Sequence, residues 1–402
     1  PLTNKKMCRM REYFIETESS QRIESGSFAS GDVCISRRTD DGRTVLTLTH
    51  GRGSGIQANV TASVVSSMIF SYAQRNTPLE QAARSVLETF GGRGSRTDAS
   101  FAVSDIRPDG TVRVAEYASP PFLLFRNGAL ADGAEVENDR LILDTENGER
   151  HTIRLSRFTA RAEDRLVFVT KGLLRSGSGT LRMPDGWGRA GATEFVRGLL
   201  TTENRLSARE LAGALVERAV ENDLFVPKSD LSCLSVYFRQ PRRLLLCSGP
   251  PFNETNDRRL AERVRDWNGT AVICGGTTAT IVARELRREI SVNLRRDISG
   301  LPPTSSMPGV DLITEGVLTL ARVKSLLEQA SSSELNGQGT DFELARILLE
   351  HDRIEFLVGT RINPQHQDPA LPVELELRRN VVKEIARLLE TKFLKEIRIE
   401  YL

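Results

Sequence analysis

The chain has 402 residues, of which 39% are hydrophobic and 27% charged, and its formal net charge is +2. That length exceeds one ordinary domain and predicts two or three, each with a packed core. Basic and acidic residues are interleaved, which argues against nucleic acid or anionic lipid as partner, and no apolar run reaches the ~18 residues of a membrane span.

Five cysteines, Cys8, Cys34, Cys233, Cys247 and Cys274, occur singly and read as reduced thiols. The start, Pro1 to Lys6, is followed by no apolar core of a secretory signal, so a cytoplasmic placement is expected.

Residues 1–24 read as a lead segment. Short strands with turn signals follow: Val33–Arg37, a turn at Asp40-Asp41-Gly42, then Thr44–Thr49. A glycine-rich loop, Gly51 to Gly55, opens a helix over 57–72 with apolar residues at helical spacing, and a second helix fits 78–90. Strands resume at 99–106, 112–117, 121–126, 140–143, 152–155 and 165–170. Helices fit 192–200 and 207–222, the latter with Ser207 as N-cap and Glu210 at the capping-box position, and a strand at 232–238 ends this half. His151 and His351 fall at element ends and read as surface residues.

Gln240-Pro241-Arg242-Arg243 marks a boundary. Beyond it strands (244–247, 270–274, 290–294, 353–359, 396–401) alternate with helices (257–267, 277–288, 318–329, 342–351, 373–390), which predicts a parallel or mixed sheet. Ser299 to Pro308 reads as irregular, and Val310 to Val317 stands out as unusually patterned.

In the first half, short motifs recur in a fixed order: Ser30-Gly31-Asp32, His50-Gly51-Arg52-Gly53-Ser54-Gly55, Glu116-Tyr117-Ala118-Ser119-Pro120-Pro121, Arg126-Asn127-Gly128, Thr170-Lys171-Gly172 and Ser229-Asp230-Leu231-Ser232. Taken as an ordered set, residues 25–240 resemble the metal-dependent protein phosphatases of type 2C, in the bacterial branch typified by stage II sporulation protein E. The resemblance implies an α+β fold, an α/β-β/α sandwich of two packed β-sheets flanked by helices, here followed by a smaller α/β domain over 241–402. It also implies serine/threonine phosphatase chemistry with two Mg or Mn ions held by aspartates and one backbone carbonyl.

Carried onto this sequence, the family's four aspartates fall on Asp32, His50, Lys171 and Ser229, and the carbonyl on Gly51; Asp230 follows the fourth position. Hard divalent cations require carboxylate oxygens. With three of four aspartates replaced, no metal is expected there and a pseudophosphatase is the first expectation. Three accounts of the substitutions stay open: relief of repulsion among aspartates crowding an empty site, a Lys171–Asp32 ion pair standing in for the metal charge, or one transition metal on His50, Asp32 and Asp230. A working phosphatase using Mn or Zn is the alternative.

In the second half, Gly275, Gly276, Thr277 and Thr278 join a strand to a helix, the composition of an anion site, although without a Walker A lysine. A plain turn with Thr277 as N-cap fits equally. Arg361, Asn363, His366 and Asp368 lie in a loop after a strand and form a second candidate ligand loop. The combined expectation is a phosphatase-fold regulator that binds a phosphoprotein or regulatory protein, with a second domain sensing a small anion. A small-molecule enzyme or sensor centred on 275–278 is a third possibility.

Overall fold

Leu231–Arg239 is buried along its whole length, with neither face left to water, and the amino-terminal half is built around it. The computed structural model describes residues 13–90, 99–131, 135–144, 150–202, 206–293, 300–330, 335, 337–361 and 372–402. The chain divides into two compact units, Pro1–Gln240 and Pro241–Leu402.

The first unit runs β1 (Phe14–Arg22), β2 (Asp32–Arg38), β3 (Thr44–Gly51), α1 (Gly55–Gln74), α2 (Leu79–Phe90), β4 (Ala99–Ile106) and β5 (Thr111–Tyr117). It continues with β6 (Leu123–Arg126), β7 (Ala129–Leu130), β8 (Glu137–Asp144), β9 (Arg150–Thr159), β10 (Arg165–Val169), α3 (Lys171–Arg175), α4 (Gly188–Thr202), α5 (Ala208–Asn222) and β11 (Leu231–Arg239). One antiparallel sheet has the order β1-β11-β10-β6-β7 and the other β2-β3-β4-β5-β9-β8.

Period-2 alternation divides the apolar residues between layers. Leu46, Leu48, Val112 and Val114 of one sheet meet Leu166, Phe168, Leu234, Val236 and Phe238 of the other, forming the sandwich core. The opposite faces are covered by α1 and α2 on one side and by α3, α4 and α5 on the other. The α+β sandwich expected from the motifs is the fold observed. The capping box is present too: Ser207 accepts from the Glu210 amide, and the Glu210 side chain accepts from the Ser207 amide.

Two elements depart from the sequence reading. β1 falls inside the expected lead segment, yet pairs with β11 over nine positions from Phe14↔Arg239 to Arg22↔Leu231. Thr170 does not end a strand but takes the N-cap position of the short helix α3, without a side-chain capping hydrogen bond.

The second unit runs β12 (Arg243–Ser248), α6 (Asp257–Arg265), β13 (Thr270–Cys274), α7 (Gly276–Leu286), β14 (Ser291–Val292), β15 (Ser305–Met307) and β16 (Val310–Thr314). Then come α8 (Val317–Gln329), α9 (Thr340–Glu350), β17 (Arg353–Val358), α10 (Pro372–Thr391) and β18 (Glu396–Tyr401). The sheet order is β14-β15-β16-β13-β12-β17-β18, parallel from β16 to β18 with an antiparallel edge at β14 and β15. The patterned stretch at 310–317 is thus a strand and the start of a helix, and the segment expected to be irregular contributes β15.

The first strand of this unit lies in the middle, successive strands add to one side, and β17 and β18 add to the other. Leu245, Cys247 and Ile273 face α6 and α7, whereas Leu244, Leu246, Val272, Phe356 and Val358 face α8, α9 and α10. This is a doubly wound sheet whose order reverses between β12 and β17.

Candidate functional site

Asp32 opens β2 and stands directly opposite His50 in the β2–β3 ladder. That pairing brings His50 Nδ1 to 2.7 Å from Asp32 Oδ1. Ser232 Oγ donates to the other oxygen, Oδ2, at 2.6 Å, and itself accepts from Gln21 Nε2 at 3.1 Å. Asp32 is 2% exposed, so both carboxylate oxygens are buried and held by protein donors. The His50 side chain is 37% exposed, presenting the rest of its ring to solvent.

Gly51 ends β3 where α1 turns back over it. A Cβ there would stand 2.0 Å from the Ala58 carbonyl oxygen, so only glycine lets the two backbones meet. Its amide donates to the Gly31 carbonyl at 2.8 Å, and Asn59 Nδ2 donates to the Ser30 carbonyl at 2.7 Å. The glycine-rich loop therefore sets α1 firmly against the Ser30–Asp32 turn.

Asp230, 4% exposed, turns away from this pair. Its Oδ2 accepts the Gly31 amide at 2.6 Å and its Oδ1 accepts the Glu24 amide at 3.0 Å. Ser229 is half-buried, its hydroxyl 2.6 Å from where a Cβ on Gly172 would lie, beside the start of α3. Lys171 is exposed as the first residue of α3. The proposed Lys171–Asp32 ion pair is not formed, because His50 and Ser232 occupy both Asp32 oxygens. Nor does Asp230 join Asp32 and His50: among the described residues no three His, Cys, Asp or Glu side chains gather as a metal ion needs.

A second polar site lies in the same unit. A cavity of about 270 Å³ is lined by Glu116, Phe122, Asn138, Arg154, Ser156 and Arg189 among others. Glu116 accepts the Phe122 amide at 2.7 Å and an Arg154 N–H at 3.4 Å. Burial raises its carboxyl above the usual glutamate range, against the pull of Arg154. His151, expected at the surface, is buried with Nδ1 2.7 Å from the Tyr117 hydroxyl. Burial pushes the thiols of Cys34, Cys247 and Cys274 up to about 12, which leaves them protonated and inert.

In the second unit Gly275, not Thr277, precedes the first helical residue of α7, with φ +128° and no side-chain cap. Gly276 opens that helix, and Thr278 is buried one turn in. Arg361 is described and pairs with Glu254 at 3.0 Å, whereas Asn363, His366 and Asp368 lie outside the described residues. No helix among the described residues is long and apolar enough to cross a membrane.

Two residues that complete the Asp32 cluster escape sequence reasoning. Gln21 lies on β1, whose polar run Glu16 to Gln21 gives no strand signal. Ser232 closes the Ser229-Asp230-Leu231-Ser232 motif and is the second residue of β11, but the motif gave it no role.

Residues 40–239 match the family described as Stage II sporulation protein E (SpoIIE). No curated protein matches the chain. Among solved structures, the phosphatase domain of SpoIIE from Bacillus subtilis aligns at 14% identity over 57% of this chain and 94% of its own, TM-score 0.43. The RsbU and RsbW domains of a Mycobacterium tuberculosis protein align at 16% over 64% and 69%, TM-score 0.43. The S. agalactiae serine/threonine phosphatase aligns at 11% over 56% and 100%, TM-score 0.41. With the family match set beside the two packed sheets and their outer helices, residues 40–239 are a phosphatase domain of the SpoIIE/PP2C type.

Proposed function

We propose that this phosphatase domain is a pseudophosphatase, a fold that binds a phosphoprotein or regulatory protein in the cytoplasm of a bacterium without the family's two-metal hydrolysis. One observation carries this: the single aspartate at a family ligand position, Asp32, already spends both oxygens on His50 and Ser232. Two bridged divalent cations require several free carboxylates to lower the pKa of a water and hold a phosphate in line. The other positions supply an imidazole, an exposed ammonium and a hydroxyl, while Asp230 is committed to two backbone amides. On this reading the residues present do not fit Mg or Mn as a pair.

The alternative keeps turnover and changes the metal. Its support is His50, whose exposed ring has Nδ1 fixed by Asp32, the arrangement that readies the other nitrogen for Mn or Zn.

The deciding experiment is Mn-dependent hydrolysis of a phosphoserine peptide by the full chain and by the triple variant His50→Asp, Lys171→Asp, Ser229→Asp. Turnover confined to the triple variant is the expected result. Metal-dependent turnover by the unmodified chain, lost in His50→Ala, overturns the proposal and establishes the alternative.

A further inference from the structure

The carboxyl edge of the second unit's sheet collects buried polar groups that have no partners among the described residues. Register places Val358, Ser248, Cys274 and Thr314 side by side at the ends of β17, β12, β13 and β16. Ser248 follows Leu244 and Leu246 at period 2, so its side chain points to the α8–α10 face. It is wholly buried, and its hydroxyl has no hydrogen-bond partner among the described residues.

On the same face α8 begins at Gly316, which has no side chain to cap it. A thirteen-residue helix carries unsatisfied N–H groups in its first turn and a positive dipole end. Thr319, its third residue, is also wholly buried with an unpartnered hydroxyl, and helical geometry tilts that side chain back toward the amino end. Glu315, just before the cap, has a buried Oε2 with no donor among the described residues. Glycines bring the strand exits close: a Cβ on Gly316 would lie 3.6 Å from Gly275 Cα, and one on Gly249 would lie 2.5 Å from Arg378 Nη1. The Arg378 guanidinium thus lies over the exit of β12, beside the reversal of strand order.

Buried unpartnered hydroxyls each cost free energy, and one in the first turn of α8 with another at the end of β12, on the edge where doubly wound sheets bind ligands, indicate a missing partner. We infer that this edge binds a hydroxylated organic phosphate, a mononucleotide or sugar phosphate, at the amino end of α8. The phosphate accepts from the α8 amides and from the hydroxyls of Ser248 and Thr319. A ligand hydroxyl donates to Glu315. The site differs from the one expected at Gly275–Thr278, because α7 packs on the opposite face, and it is independent of how the phosphatase domain is read.

Titration calorimetry and thermal melting of the full chain with AMP, ribose 5-phosphate and inorganic phosphate test this. At least one organic phosphate binds and raises the melting temperature. Thr319→Val raises the melting temperature of the ligand-free chain yet weakens that binding at least ten-fold, opposite signs that a purely structural threonine does not produce. Ser248→Ala weakens it in the same way, and Glu315→Gln weakens the organic phosphate more than inorganic phosphate. Gly276→Ala, whose added Cβ meets nothing within 4 Å, leaves binding unchanged. Failure of both organic phosphates to bind at millimolar concentration overturns the inference. So does undiminished binding in Thr319→Val, or loss in Gly276→Ala, which moves the anion to α7.

Discussion

Each unit gathers buried polar side chains at the ends of its strands, and the two clusters stand in opposite states. Around Asp32 and Asp230 every carboxylate oxygen has a donor within 3.0 Å. At the edge formed by Ser248, Glu315 and Thr319, three buried oxygens have none among the described residues. A saturated cluster stabilises the fold and leaves little capacity for a ligand. An unsaturated one costs stability until something binds. On the two readings proposed above, the hydrogen bonds of Asp32 and Asp230 hold the fold where the family's metals would sit, and the capacity to bind a ligand lies in the second unit.

The largest effect follows from breaking the saturated side. Asp230→Ala leaves the Gly31 and Glu24 amides without their acceptor and opens the Ser30–Asp32 turn. Two donors stranded at a buried site cost about 3 kcal/mol in denaturant unfolding. A loss well under ~1 kcal/mol would mean that the turn rearranges freely and that Asp230 is available to a ligand after all.

Ser232→Ala tests the next link. It removes the donor to Asp32 Oδ2 and the acceptor for Gln21, leaving a buried carboxylate with His50 alone. The expected cost is about 2 kcal/mol, the range for hydrogen bonds to a charged group. Combined with Asp32→Asn, the two losses fall short of their sum, because both act on one network.

How legible this was depended on side-chain pattern. The sandwich could be read because β3, β4, β5, β10 and β11 are rich in β-branched and apolar residues between clear turns. β1 could not, since Phe14 and Ile15 are followed by a polar run that pairs with β11 through its backbone. β16 is five residues long and interrupted by Asp311, whose carboxylate accepts the Ala271 amide, so it stood out as a patterned stretch without being read as a strand. Within the site, matching motifs located Asp32, His50, Gly51 and Asp230 but could not tell which oxygens face which donors. Charge arithmetic therefore offered Lys171 as one possible partner for Asp32, whereas the ladder register places His50 there.

Glu116 lies between the two extremes and gives the smallest, most diagnostic effect. Both its oxygens have donors, the Phe122 amide and Arg154, yet burial outweighs them and keeps its folded pKa above the ordinary value of 4.5. A carboxyl whose folded pKa is raised stabilises the fold fully below the unfolded pKa, and that contribution is lost as pH rises through the folded value. Glu116→Gln removes the titration while keeping an acceptor for the Phe122 amide. The variant should therefore gain on the wild type as pH rises from about 4 to about 7, read as a widening difference in melting temperature. A difference that narrows over the same window means that Arg154 outweighs burial, and would place Glu116 with Asp32 and Asp230 among the carboxylates their partners fully compensate.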